Sequence, residues 1–183
     1  MKQHNLAFVD IETTGLNPDK HEIIQIGCII ARQEWSSKGL ILEHLDEFEL
    51  KIKPERITDA DPQALRVNGY EPAEWVFAYT LPEAMKLFAE KTKGSIFVAH
   101  NACFDFGFID KAFRITEIEN TMHYHKLDTI SMAFAKFGHD DTLDRFSLRN
   151  LCQHFNIENK NAHTALSDAR ALYQVYEKMM GEK

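Results

Sequence analysis

Apolar positions gather into two short stretches near the start of the chain. Leu6–Ile11 reads as a strand that runs into a Thr-Thr-Gly turn, and Glu22–Ala31 is a nearly continuous β-branched run, the signature of a central strand. Residues 33–46 are polar around a small apolar patch, which predicts an exposed loop. Phe48–Ile52 alternates apolar and charged residues, as a half-exposed strand does. Three strands this closely spaced predict an antiparallel meander. The pattern then changes. It predicts a helix over Pro82–Thr92, a short buried strand at Ile96–Ala99 and a helix over Ala102–Phe113. A strand at Tyr124–Asp128, helices over 129–137 and 146–155, and a last helix over Thr164–Met180 follow. No internal repeat, low-complexity tract or linker interrupts this order. A meander followed by alternating strands and helices predicts a single α/β domain, residues 1–183, on a mixed sheet.

Composition narrows the reading further. Of 183 residues, 44% are hydrophobic and 13 are Phe, enough to fill a sizeable core and to exclude intrinsic disorder. No run of 18 apolar residues occurs, so no membrane-spanning helix is expected. The chain enters its first strand without a signal-type apolar segment, and Cys28, Cys103 and Cys152 are odd in number and far apart. Both features predict a reducing, cytoplasmic setting with small buried thiols. The formal charge is −7, from 21 Lys+Arg against 28 Asp+Glu. A protein gripping long duplexes through many phosphates is normally basic, so any nucleic-acid substrate here needs another attraction, and metal ions supply one.

The acids carry the candidate chemistry. Asp10 and Glu12 lie two apart at the end of the first strand, so both leave the same face, with Cβ atoms roughly 7 Å apart. The Thr13-Thr14-Gly15 turn that follows offers backbone N–H groups to a hydroxyl or phosphate oxygen. Further on, Asp105, Phe108, Ile109 and Ala112 share one helix face, which places a charge on an apolar stripe with no Lys or Arg beside it. Asn101, just ahead, suits either a helix N-cap or a substrate contact. In the last helix Asp168 shares its face with Ala165, Leu172, Tyr176 and Met179, and His163 stands on the entry turn. Acids at core positions in three separate segments are hard to dismiss as solvated surface.

Rival chemistries lack their motifs. No G-x-x-x-x-G-K-[ST], strand-following G-x-G-x-x-G or H-E-x-x-H occurs. His123 and His125 alternate on the predicted strand but have no third ligand nearby. A carboxylate-rich, thiolate-free set prefers Mg²⁺ or Mn²⁺ over Zn²⁺, and two such ions suit in-line phosphodiester hydrolysis.

FVDIETTGL (Phe8–Leu16), AHNACFDFGF (Ala99–Phe108) and HTALSDA (His163–Ala169) resemble the three motifs of the DEDDh 3′→5′ exonucleases in order, spacing and flanking elements over nearly the whole chain. The resemblance implies a ribonuclease H-like fold with a mixed five-stranded sheet flanked by helices. It implies that Asp10, Glu12, Asp105 and Asp168 hold two Mg²⁺ or Mn²⁺ ions and that His163 is the general base. Thr13, Thr14, Gly15 and Leu16 would bind the 3′-terminal nucleotide, Leu16 as a wedge against its base. His100, Asn101 and Phe104 from the second motif would also face the substrate. Val67-Asn68-Gly69-Tyr70 matches a ribonuclease T-like pattern in which polymerase proofreading subunits usually carry His where Asn68 stands, and Asn68 joins the expected substrate contacts.

The expected activity is therefore metal-dependent 3′→5′ hydrolysis of single-stranded DNA or RNA ends to nucleoside 5′-monophosphates. A homodimer or a polymerase is the expected protein partner. The rivals are a non-catalytic nucleic-acid-binding or polymerase-associated scaffold module on the same fold and a ribonuclease H-type endonuclease.

Overall fold

A computed structural model describes residues 1–37, 39–140 and 143–181. The last two positions of the expected domain, and Lys38 in the expected loop, lie outside them. Five strands form one mixed sheet: β1 (Leu6–Thr13), β2 (Ile23–Ser36), β3 (Gly39–Lys51), β4 (Ile96–Ala99) and β5 (Lys126–Asp128), in the order β3-β2-β1-β4-β5. β1, β2 and β3 pair antiparallel, as the meander predicts, while β4 and β5 run parallel to β1.

The stretch 33–46 is not a loop. It belongs to a long β2–β3 hairpin in which Leu40 and Leu42 are buried and Ile41 and Glu43 point outward. Mean polarity conceals the strand here. The outer face of this hairpin is charged, with Arg32 pairing Glu43 across it at 2.8 Å, while the inner face keeps the period of two that a strand needs. The short helix α1 (Pro62–Val67) was also unread. At 6 residues it is too brief to show periodicity, and Asp61 caps it by accepting the Gln63 N–H at 2.8 Å.

Helices cover both faces. α2 (Leu81–Lys91) and α3 (Ala102–Thr116) close one core around Val9, Ile11, Ile26, Met85, Phe88 and Ile109. α2 starts where Glu83 reaches back to accept the Thr80 N–H and hydroxyl at 2.9 and 2.7 Å. α6 (Ala165–Gly181) lies across the other face on Leu6, Phe8, Ile29 and Ala31, through Leu172 and Tyr176. Behind it, α4 (Thr129–Phe137) and α5 (Leu148–His154) add an outer layer of Ala133, Leu151 and Cys152 against Val175 and Met179. A fully buried Phe or Leu contributes roughly 1.5–3 kcal/mol, so both faces are held mainly by such contacts. Cys28 and Cys152 are buried, but Cys103 is exposed on α3, against expectation. Among the described residues no helix is long and apolar enough to cross a membrane.

Candidate active site

Glu12, His163 and Asp168 converge: each offers one ligand atom, and these atoms lie within 4.8 Å of one another. β1 places Asp10 and Glu12 on the face that α6 covers, opposite Gly27 and Gln25 of β2. A Cβ at Gly27 would lie 2.2 Å from the Ala165 carbonyl carbon, so α6 enters here only because that side chain is missing. Beside it Gln25, 5% exposed, accepts the Ala165 N–H at 3.2 Å. One turn later α6 presents Asp168. His163 precedes the helix in the left-handed region, with φ 69°, and its N–H donates to Asp168 Oδ2 at 2.9 Å. The Asn159 side-chain amide donates to Asp168 Oδ1, and the Ser167 hydroxyl donates to Asn159 Oδ1 at 2.8 Å.

Asp105 arrives from α3 on the opposite side of the strand, 4% exposed. Its Oδ1 accepts the N–H of Ile11, between Asp10 and Glu12, at 3.2 Å. The buried carboxyl thus has a backbone partner that helix periodicity could not reveal. Phe108, Ile109 and Ala112 are buried with it, as the stripe predicts.

The acids hold one another's protons. Burial first, then Asp105, Asp168 and Glu12, lift the Asp10 carboxyl well above its ordinary range. Burial and then Asp168 push Glu12 up to about 7. Burial likewise carries Asp105 to about 8, hydrogen bonds including the Ile11 amide oppose it, and Glu12 and Asp128 add to it. Among the described residues no Lys or Arg forms an ion pair with any of the four acids. Crowded, unneutralised carboxylates with one imidazole fit hard divalent cations. The tight donor set holds His163, Glu12 and Asp168. Asp10 and Asp105 stand beside it through their mutual field rather than within it.

The surrounding residues divide. Thr13 and Thr14 are buried, and Leu16 stands 77% exposed beyond Gly15. The turn does not offer all its amides, because the Thr14 N–H donates to Glu22 O at 2.9 Å. Asn68 spends its amide on the protein: it donates to Thr13 O at 3.0 Å and accepts the Tyr70 N–H at 3.2 Å, bracing the turn. Asn101 occupies the position before α3 with φ 69°, but its side chain caps nothing. Asp128 does that work, accepting the Asn101 and Ala102 N–H groups at 2.9 and 3.1 Å. His100 Nδ1 meets the Thr129 hydroxyl at 2.9 Å, and burial lowers its pKa although Asp128 works the other way. Phe104 is half-buried, its ring 5.2 Å from Phe108. His123 and His125 precede β5, their rings stacked at 5.0 Å and 16°, and join no ligand cluster among the described residues.

Gln25, Gly27, Asn159 and Asp128 were missed. A glutamine and a glycine inside the apolar run of β2 were the available signal for the first two. Asp128 carries the local mark of an N-cap for α4, where it accepts the Ser131 N–H, but nothing local marks its reach to α3 or the role of Asn159.

The exonuclease family model, RNase_T, matches residues 7–176. The epsilon subunit of DNA polymerase III from Escherichia coli is 32% identical over 94% of this chain and 70% of its own length. A ribonuclease T from Shewanella denitrificans is 28% identical over 93% and 77%. E. coli exonuclease I in complex with a dT13 oligonucleotide superposes with a TM-score of 0.75 at 18% identity, covering 97% of this chain. This chain spans 42% of that neighbour's length, and the likeness is one of fold.

Proposed function

The chain belongs to the exonuclease family, and from that premise we propose that it trims single-stranded DNA or RNA from the 3′ end, releasing nucleoside 5′-monophosphates with the help of two Mg²⁺ or Mn²⁺ ions. The observation that carries the reading is the convergence of Glu12, His163 and Asp168 within 4.8 Å, with Asp10 and Asp105 in the same field. Asp10, Glu12, Asp105 and Asp168 would hold the cations. When bound, the ions supply a more acidic water and offset charge on the departing 3′-oxygen.

The rest is done by the chain itself. His163, exposed at the entry to α6, takes the proton of the attacking water. Leu16 stands out from the Thr13–Leu16 turn, where a terminal base can rest against it, and Asn68 keeps that turn fixed through Thr13 O. Relatives that are polymerase III subunits and others that are ribonucleases T leave a polymerase-bound and a free-standing enzyme as the two settings for this activity, both cytoplasmic.

Incubating end-labelled single-stranded DNA and RNA with Mg²⁺ or Mn²⁺ tests the proposal. A ladder receding from the 3′ end supports it. Internal cuts point to an endonuclease, and no reaction with either ion points to a scaffold module.

A further inference from the structure

We propose that Gln25 is a positioning residue for the catalytic cluster: its side-chain carbonyl holds the first amide of α6 against β2 and so sets His163 and Asp168 over Glu12. The inference rests on the proposed cation site for its Mn²⁺ arm and on the exonuclease reading for its kinetic arm, and its amide-exchange arm rests on neither.

Gln25 is a polar side chain near the start of β2, an interior strand of the sheet, 5% exposed, with Ile24 and Ile26 on either side of it. A buried amide is retained only where it is hydrogen-bonded. Its Oε1 accepts the N–H of Ala165 across a separation of 140 positions. Ala165 opens α6, so this is one of the donors that a helix start leaves without a partner inside the helix. Gln25 faces Glu12 directly across the β1–β2 ladder, and Gly27, the next residue on that face, faces Asp10. One strand therefore lines the cluster with the two residues that admit and anchor α6. Gly27 removes the obstacle, and Gln25 supplies the attachment. Of the three converging side chains, Glu12 belongs to the sheet, whereas His163 and Asp168 belong to the segment that Gln25 ties down. His163 and Asp168 are already bonded to each other, so they move as a unit with the start of α6. The Ala165 bond is then what sets the distance between that unit and Glu12. Groups that orient metal-binding carboxylates are typically worth 10–100-fold in affinity or activity.

Gln25→Met keeps the shape of the side chain and removes the acceptor, while Gln25→Glu keeps an acceptor oxygen. Each is titrated with Mn²⁺ by electron paramagnetic resonance, and steady-state kinetics on a single-stranded oligonucleotide gives kcat and KM. Gln25→Met should weaken Mn²⁺ binding about tenfold or more and lower kcat by about 10–100-fold, with KM within about threefold of wild type. Gln25→Glu should recover Mn²⁺ affinity to within about fivefold. A Met variant that binds Mn²⁺ and turns over as wild type does would overturn the proposal, as would equal damage in the Met and Glu variants. Amide exchange at Ala165 in the wild-type protein is independent of how either variant folds, and an unprotected amide there also overturns it. If the wild type trims no substrate yet the Met variant alone loses Mn²⁺, the exonuclease reading fails and the positioning role stands.

Discussion

The metal-free protein should become less stable as pH rises above neutrality, and a divalent cation should reverse the trend. Glu12 titrates near 7 and Asp105 near 8 in the folded chain, against ordinary values of 4.5 and 3.8. A carboxyl whose pKa is raised by folding holds its proton more tightly when folded. That contribution is complete below the ordinary values and is lost as pH climbs through the folded ones. Asp10, lifted well above its ordinary range by burial and then by Asp105, Asp168 and Glu12, acts in the same direction, while the remaining shifted groups contribute little between pH 7 and 8.5. His100 and His123, with lowered values, are neutral, and Asp46, Glu47 and Asp128, held low, are ionised. Across that window the folded state holds on average about one proton more than the unfolded chain through Glu12 and Asp105, which at about 1.36 kcal/mol per proton and pH unit costs about 2 kcal/mol. For a domain of this size that is a fall of roughly 4–8 °C in Tm. Thermal unfolding by circular dichroism in chelator, at pH 7 and 8.5, measures it. Millimolar Mg²⁺ or Mn²⁺ should raise Tm more at pH 8.5 than at pH 7, since the cations take the place of the protons. A Tm in chelator that holds steady or rises across the window would refute the reasoning. So would an unchanged slope in Glu12→Gln combined with Asp105→Asn.

Three further outcomes are expected. Asp10→Ala should reduce hydrolysis below about a hundredth of wild type while raising Tm in chelator, because it relieves a buried carboxyl crowded by three others; a gel assay paired with a melt decides both halves. His163→Ala should lower kcat by roughly 10²–10⁴ with KM little changed, and a variant keeping the wild-type rate removes the histidine from the chemistry. Gly27→Ala pushes a methyl group into the Ala165 backbone, so it should cost about 1–3 kcal/mol in denaturant titration and lower kcat by about 10²-fold through displacement of α6.

Much of this arrangement was legible in the residues. Acids at 105 and 168 stood out because helix periodicity put them among Ile109, Ala112 and Leu172, and those neighbours are buried. The order and type of the later elements followed from pattern alone. Strand–strand extension did not, because the outward-facing Ile41 between Leu40 and Leu42 is itself apolar and hides their alternation, while the residues around them are polar on average. What stayed hidden depends on contacts far apart in the chain. The role of Asn68 lies in a bond to Thr13 O, and the cap of α3 lies in Asp128, 26 positions beyond Ala102. Local sequence carries no record of either partner. Asn101 looked like a cap because Asn is a good one, yet its left-handed backbone turns the side chain away from that duty.

The bond between Gln25 and Ala165 joins the two ends of the cluster across 140 positions. During synthesis β1 and β2 leave the ribosome long before α6 does, so the growing chain carries half of its carboxylates with no counterpart. The cluster assembles only when translation has passed Asp168, at the step where the last helix settles on the sheet. An intermediate whose last helix has not yet emerged therefore lacks the complete cluster. Any truncation that removes α6 should leave a folded sheet, if one forms at all, without the capacity to cut.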